Sequence, residues 1–255
     1  MTAHTKGESS RSTEHFNSPR SSGNRISSGM SKVAVSWTGG KDSSLSLYEA
    51  EVLGCRINCL VTFASSHERF LAHPLAFMKL QAQALGLPHH VITVEEPYER
   101  SYENAISSLK EEHGIDALVT GDISEVAGHD PDWMVNRSAR CGVDLLRPLW
   151  HRDRLELLNR LLSLRFRILF SCVKRPWFTE EWLGLELSRS SIERLCELSK
   201  RTGLDMCGEQ GEYHTLVLDG PRFKKCIRMI SYSKHADDST MYISSETLQL
   251  ADKDG

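Results

Sequence analysis

From residue 32 to residue 173 the chain alternates short β-branched runs with stretches of helical periodicity, and this alternation limits the fold more than any other feature. Runs at 33–37, 57–63, 90–94, 117–121, 145–149 and 166–173 read as strands. Between them, 42–53 stops at Gly54, 74–85 follows a proline and stops at Gly86, 98–113 ends at Gly114, 131–141 ends at Gly142, and 153–164 closes the series. Strict β–α alternation implies a parallel sheet covered by helices on both faces. Ligands of such sheets bind at the carboxyl ends of the strands, where chain direction switches. Beyond about residue 175 the alternation stops. One amphipathic helix (188–201) remains, then a glycine- and glutamate-rich segment, then 223–232 and 241–244 as a hairpin. The expected fold is α/β: a parallel doubly wound sheet over 32–174, with a smaller C-terminal α+β lobe over 175–255 that serves the substrate.

The turn after the first strand is the most chemically specific stretch. Trp37-Thr38-Gly39-Gly40-Lys41-Asp42-Ser43-Ser44 joins a buried strand to a helix start. That order gathers free backbone N–H groups at the positive end of a helix, a natural site for an anion. Two glycines let the backbone approach a phosphate, Lys41 adds a mobile positive charge, and Thr38, Ser43 and Ser44 add hydroxyl donors. The spacing is not that of a Walker A loop, and Lys41 is followed by Asp rather than Ser or Thr. The turn resembles the S-G-G-K-D-S loop of the PP-loop ATP pyrophosphatases (adenine nucleotide alpha hydrolase-like proteins), with Thr38 in place of the first Ser. The resemblance implies cleavage of ATP between the α and β phosphates, with the loop holding the departing pyrophosphate. Ser36, Trp37, Thr38, Gly39, Gly40, Lys41, Asp42 and Ser43 are then the nucleotide-binding residues. Gly121 and Asp122 join them from the turn after the fourth strand.

Composition narrows the surroundings of that site. A net charge of −3 gives no bulk attraction to nucleic acid or anionic lipid. The seven cysteines are dispersed, with no CxxC pair, which argues for reduced thiols rather than a disulfide framework. No stretch approaches the ~18 consecutive apolar residues of a membrane span. The expectation is a cytoplasmic protein with neither nucleic acid nor membrane as a direct partner. Residues 1–31 hold nine serines and a net charge of +2, and read as a disordered Ser-rich tail or, alternatively, an organelle transit peptide. The pairs His89-His90 and His67 with His73 lack the placement of a metal site, so no protein-built metal centre is expected.

The segment 204–221 contains Cys207-Gly208-Glu209-Gln210-Gly211-Glu212-Tyr213-His214, with two carboxylates bracketed by glycines directly before an apolar strand. Two readings stand: a glycine-bent strand entry with solvated glutamates, or a rigid acidic substrate loop beside an aromatic ring and an imidazole. The first turn, Pro148-Leu149-Trp150, and the run from Cys207 to Lys225 together resemble the diphthine–ammonia ligases over about residues 32–230. The resemblance implies that magnesium-ATP adenylates the carboxylate of diphthine, a modified histidine on a translation elongation factor. Ammonia then displaces AMP to leave diphthamide. After the fourth strand the family carries a compact Ser-Asp-Tyr-Gln-like segment, whereas this chain has thirteen residues from Gly121 to Trp133, among which only Asp122 corresponds. A divergent ligase acting on another carboxylate is therefore an alternative. A non-catalytic nucleotide sensor on the same fold is a second, and a tRNA thiolase, lacking its cysteines and basic surface here, a third.

Physical chemistry divides the labour. Adenylation develops negative charge on the leaving pyrophosphate, to be met by loop N–H groups and Lys41. Asp42 suits sharing Mg²⁺ or orienting loop amides. Two carboxylates repel a polyphosphate, so Glu209 and Glu212 suit a cationic acceptor, with His214 beside them for ammonium binding or proton removal and Tyr213 as a cation–π face.

Overall fold

The computed structural model describes residues 31–67 and 70–253 of the 255-residue chain. Apart from Ser31, the segment read as a disordered tail lies outside the described residues.

Strand β1 (Lys32–Ser36) buries Val33, Ala34 and Val35 completely, the behaviour of a central strand covered on both faces. Successive side chains of a strand point to opposite faces, and the core divides accordingly. Val33 and Val35 enter a large apolar cluster with Leu45, Phe77 and Leu216. Ala34 enters a smaller one with Val61, Ile106 and Leu118. β2 (Arg56–Ala64), β3 (His89–Thr93), β4 (Ala117–Val119) and β5 (Asp144–Leu146) complete a five-stranded, all-parallel sheet in the order β3-β2-β1-β4-β5. The chain runs outward from β1 to β3, crosses back through a long helix, and resumes at β4 on the other side of β1. The switch point therefore lies between β1 and β4, where the loops leaving the two strands diverge and open a crevice.

The helices are α1 (Lys41–Val52), α2 (Leu75–Leu85), α3 (Tyr98–His113), α4 (Trp133–Arg140), α5 (Arg154–Ser163) and α6 (Arg189–Thr202). Glycines in the left-handed region end α2, α3 and α6, at φ 68°, 62° and 75°. Asp153 caps α5 by accepting from Glu156 N, and Ser188 and Ser191 form a reciprocal cap on α6.

The sixth expected strand departs from the expected sheet. β6 (Arg167–Lys174) leaves the parallel sheet and lies in a second, antiparallel one ordered β7-β6-β9-β8, with β7 (Tyr213–Asp219), β8 (Cys226–Ala236) and β9 (Thr240–Ala251). A fully buried apolar run suits the centre of either kind of sheet, so periodicity could not separate them. The hairpin expected near the C-terminus is the β8–β9 pair, longer than the spacing suggested. The second sheet packs on the α1–α2 face of the first: α1 touches β7, and α2 touches β8 and β9. Pressed between two sheets, α1 buries seven of its twelve residues and has little amphipathic character. All seven cysteines are free thiols. No helix among the described residues is long and apolar enough to cross a membrane.

Candidate active site

The turn after β1 is held by groups from distant parts of the chain. Gly39 has φ +76°, and a Cβ there would come within 2.2 Å of Gln81 Oε1, so only glycine fits without displacing that side chain. Gln81, fully buried on α2, donates through Nε2 to Gly39 O and Val217 O, both at 2.8 Å. Its Oε1 accepts from the Trp37 indole at 3.2 Å. Val217 N also donates to Gly39 O, at 3.1 Å, and Lys41 N donates to Thr215 Oγ1, at 3.1 Å. The turn is thus tied to β7 of the second sheet. Ser43 Oγ donates to Gly40 O at 3.1 Å, and Thr38 Oγ1 and Ser43 Oγ lie 3.3 Å apart. Among the described residues nothing accepts from the N–H groups of Asp42 and Ser43 in the first turn of α1. Both residues line a cavity of about 840 Å³ at the switch point. Unpaired first-turn donors opening into a cavity make an anion site.

Lys41 corrects one expectation: its ammonium is not mobile. The side chain is 3% exposed, donates to Asp42 Oδ2 at 2.8 Å and to the Cys207 carbonyl, and sits 5.1 Å from the centre of the Tyr213 ring. Burial, the largest single influence, opposes the charge, but Asp42 together with Tyr213 and Cys207 outweighs it and holds the Lys41 pKa above its ordinary value. For Asp42 burial pushes the carboxyl up and Lys41 draws it back. Its side chain keeps 28% of its surface open.

The facing wall is the loop after β4. Thr120 donates through Oγ1 to Asp122 Oδ2 at 2.8 Å. Gly121 lies so close to α1 that a Cβ would stand 2.9 Å from both Asp42 C and Ser43 N. Ser36, Thr38, Asp42, Ser43, Gly121 and Asp122 all line the cavity. Trp37 does not: its ring is buried in the core.

The segment 205–214 clamps this wall from behind. Glu209 Oε1 accepts from Ile123 N at 2.9 Å and Ser124 N at 3.3 Å. Gln210 accepts from Ala127 N and donates to Glu125 O. Arg154 joins the two segments, donating to Asp205 Oδ2 at 3.0 Å and Ser124 Oγ at 2.6 Å. Burial raises the Glu209 pKa, while its two backbone donors pull it down. Glu212, 4% exposed, accepts from Asp205 N through Oε1, and its Oε2 has no partner among the described residues. The Tyr213 hydroxyl donates to Met206 O at 2.7 Å, and the ring is buried against Lys41. The cation–π face expected for an acceptor is therefore turned to a lysine of the protein itself. His214 packs edge-on to His73, with ring centres 5.2 Å apart. Burial pushes these imidazoles down to about 4 and about 3, helped at His214 by Lys41 and Lys174, and at His73 by His214 and Lys41. None of the four expected substrate residues lines the cavity. Gln81, Arg154 and Gln210 had no sequence signature beyond a polar residue beside apolar or glycine-rich neighbours.

No three His, Cys, Asp or Glu side chains among the described residues are gathered to hold a metal ion. Mg²⁺ commonly takes one or two carboxylates and completes its shell with phosphate oxygens and water. Asp42 and Asp122 meet that requirement: both line the cavity and each commits one oxygen to a neighbour, Lys41 or Thr120.

A parallel sheet whose switch point presents a Gly-Gly-Lys turn, two free helix N–H groups and a carboxylate pair defines an α/β protein of the PP-loop ATP pyrophosphatase type. Two family models extend the match along the chain: the diphthamide synthase N-terminal domain over residues 31–134 and the diphthamide synthase C-terminal domain over 153–249. The chain belongs to the diphthamide synthase family. Among its relatives, a Danio rerio protein named diphthine–ammonia ligase is 29% identical over 230 residues, covering 79% of this chain and 88% of its own length. A Bos taurus protein of the same name is 26% identical over 253 residues, covering 87% and 93%. A solved structure from Methanocaldococcus jannaschii, titled as a subunit of a tRNA methyltransferase, is 19% identical with a TM-score of 0.40, covering 74% of this chain and 98% of that one.

Proposed function

We propose that the chain is a diphthine–ammonia ligase. It uses ATP to adenylate the carboxylate of diphthine on a translation elongation factor, and ammonia then converts the adenylate to the amide, diphthamide. In the first step a carboxylate oxygen attacks the α-phosphorus and pyrophosphate leaves. In the second the ammonia nitrogen attacks the acyl carbon, AMP leaves, and the nitrogen sheds a proton. The observation that supports this most directly is the joint between the two halves: Lys41, in the nucleotide turn, bonds the carbonyl of Cys207 in the segment that carries the family resemblance.

The N–H groups of Asp42 and Ser43 face the anion that develops as pyrophosphate departs, and a preformed donor pair in a confined site favours that charge without reorganising. Lys41, fixed in place, adds positive potential beneath them. Asp42 and Asp122 would hold magnesium, which when bound neutralises polyphosphate charge. Glu209 keeps the β4 loop closed on α1 and so fixes the spacing between Asp122 and Ser43. Glu212 and His214 lie behind the turn, close enough to act on the acceptor half only through that packing.

The test is to incubate the protein with diphthine-bearing elongation factor, ATP, magnesium and ammonium, then follow the factor by mass spectrometry and the nucleotides by chromatography. The expected result is amide formation with AMP and pyrophosphate in equal amounts. ADP as the main product, or an unmodified factor, would remove the proposal.

A further inference from the structure

The cavity has two ends of opposite chemistry, and the nucleotide turn occupies only one. The other is built where α3 and α4 begin. Tyr98 and Tyr102 are four residues apart, hence on one face of α3, and Trp133 is the first residue of α4. Tyr102 and Trp133 meet edge to face at 4.9 Å and 87°. All three rings line the cavity, together with the carboxylates Glu99, Glu125 and Asp130. Among the described residues that line it, none is Lys or Arg. Glu125 is paired with His151 at 2.9 Å, and Asp130 accepts from Asp132 N at 3.0 Å. Glu99 is exposed, has no ion-pair partner among the described residues, and offsets the positive end of the α3 dipole. The volume, about 840 Å³, stands near the top of the ~300–1,000 Å³ usual for small-molecule sites, with room beyond a nucleotide's phosphates.

Aromatic rings beside the Glu99 carboxylate, with His129 and no lysine or arginine among the described lining residues, favour a large, weakly hydrated cation over an anion. Aromatic faces attract such a cation by their quadrupole, and carboxylates at the rim add longer-range attraction. We infer that Tyr98, Glu99, Tyr102 and Trp133 form a subsite for a quaternary ammonium group on the acceptor side chain. This deepens the proposed function and rests on it for the identity of the acceptor, because diphthine carries a quaternary amine on the same side chain as the carboxylate to be activated. Holding the cation at this end points the carboxylate along the cavity toward the nucleotide end, with the α-phosphate of ATP between it and the pyrophosphate site at Asp42 and Ser43. Glutamates of the 207–212 segment need not touch the acceptor at all.

The experiment uses the full chain and two separate probes. Tetramethylammonium chloride, with sodium chloride at matched ionic strength, is titrated and read by saturation-transfer NMR on the methyl protons. ATP binding is measured by calorimetry on the same samples. Wild type should bind tetramethylammonium saturably. Glu99→Gln, an exposed change that leaves packing intact, and Trp133→Leu should each weaken it about five- to thirtyfold while ATP affinity stays within twofold. In the amidation assay Glu99→Gln should raise KM for the diphthine-bearing factor and leave kcat at saturation unchanged. No saturable tetramethylammonium binding, or binding indifferent to both variants, overturns the subsite. So does a loss of ATP affinity in Trp133→Leu with tetramethylammonium binding kept, because the rings would then be stacking adenine. Tetramethylammonium binding that depends on Glu99 in a protein unable to amidate diphthine upholds the subsite and overturns the proposed function instead.

Discussion

Gly121→Ala is the sharpest test of how the cavity is assembled. The added methyl would stand 2.9 Å from Asp42 C, 2.9 Å from Ser43 N and 3.2 Å from Asp42 Cβ, and two of these are backbone atoms that no rotamer change can move. Gly121 lies outside the left-handed region, so the cost is steric alone. Relief requires the β4 loop to retreat from the first turn of α1 by several tenths of an ångström. Overpacking of this kind costs about 1–3 kcal/mol, which in a domain of this size lowers Tm by about 2–12 °C. The effect on turnover should be larger. The same retreat moves Asp122 away from the Asp42 and Ser43 amides, and a misplacement of ~1 Å costs roughly a hundredfold in rate. Pyrophosphate release under saturating substrates measures the rate, and a thermal melt measures stability. Gly54→Ala, at φ +89° with nothing within 4 Å, is the control: it strains the backbone by about 1 kcal/mol and should keep its turnover. A Gly121→Ala protein with turnover within threefold of wild type would refute the idea that contact between these two loops sets the site.

Glu209→Gln keeps a carbonyl oxygen for Ile123 N and Ser124 N and should retain most activity, whereas Glu209→Ala should lose about 1–3 kcal/mol of stability in urea titrations. Equal losses in both variants would mean that the negative charge, rather than the acceptor oxygen, matters. Lys41→Met leaves Asp42 without its partner and should cost about 3–5 kcal/mol and at least a hundredfold in turnover; its stability contribution should be flat from pH 6 to 9, because a raised lysine pKa matters only as pH rises above the unfolded value of about 10.4. His73 and His214 are held neutral, with pKa values of about 3 and about 4. The unfolded chain takes up protons on both below about pH 6.5, so stability should fall as pH drops from 6.5 to 5, by on the order of 1.4 kcal/mol per pH unit for each. Urea midpoints over that range would check this, and an unchanged slope in His73→Asn would disprove it.

The fold was legible where local signals agreed. α3 lies at 98–113 as its periodicity and Gly114 indicate, and the turn after β1 joins strand to helix as its glycines require. The sheet that holds β6 was not legible, because a buried apolar run states that a strand is covered on both faces, not what covers it. The free N–H groups of the first turn of α1 could be read because they follow from local geometry. The partners of Glu209 could not, since a carboxylate's partner is decided by tertiary neighbours, here Ile123, 86 residues away. Trp37 looked like part of the turn, yet its ring turns inward because Gln81 accepts its indole hydrogen in the core. The aromatic end was invisible for a similar reason: Tyr98, Tyr102 and Trp133 belong to two helices that meet only in space.

The attachment of the nucleotide turn to β7 has a consequence for biosynthesis. Lys41 N waits for Thr215, Lys41 Nζ for Cys207 and Gly39 O for Val217, partners that leave the ribosome some 166 to 178 residues later. The five parallel strands can pair before that, but the turn between β1 and α1 has no scaffold until the second sheet arrives. Non-local closure of this length is the slow part of folding. The parallel sheet can therefore pair while the turn stays slack, and the turn is set only once the 207–217 segment is in place.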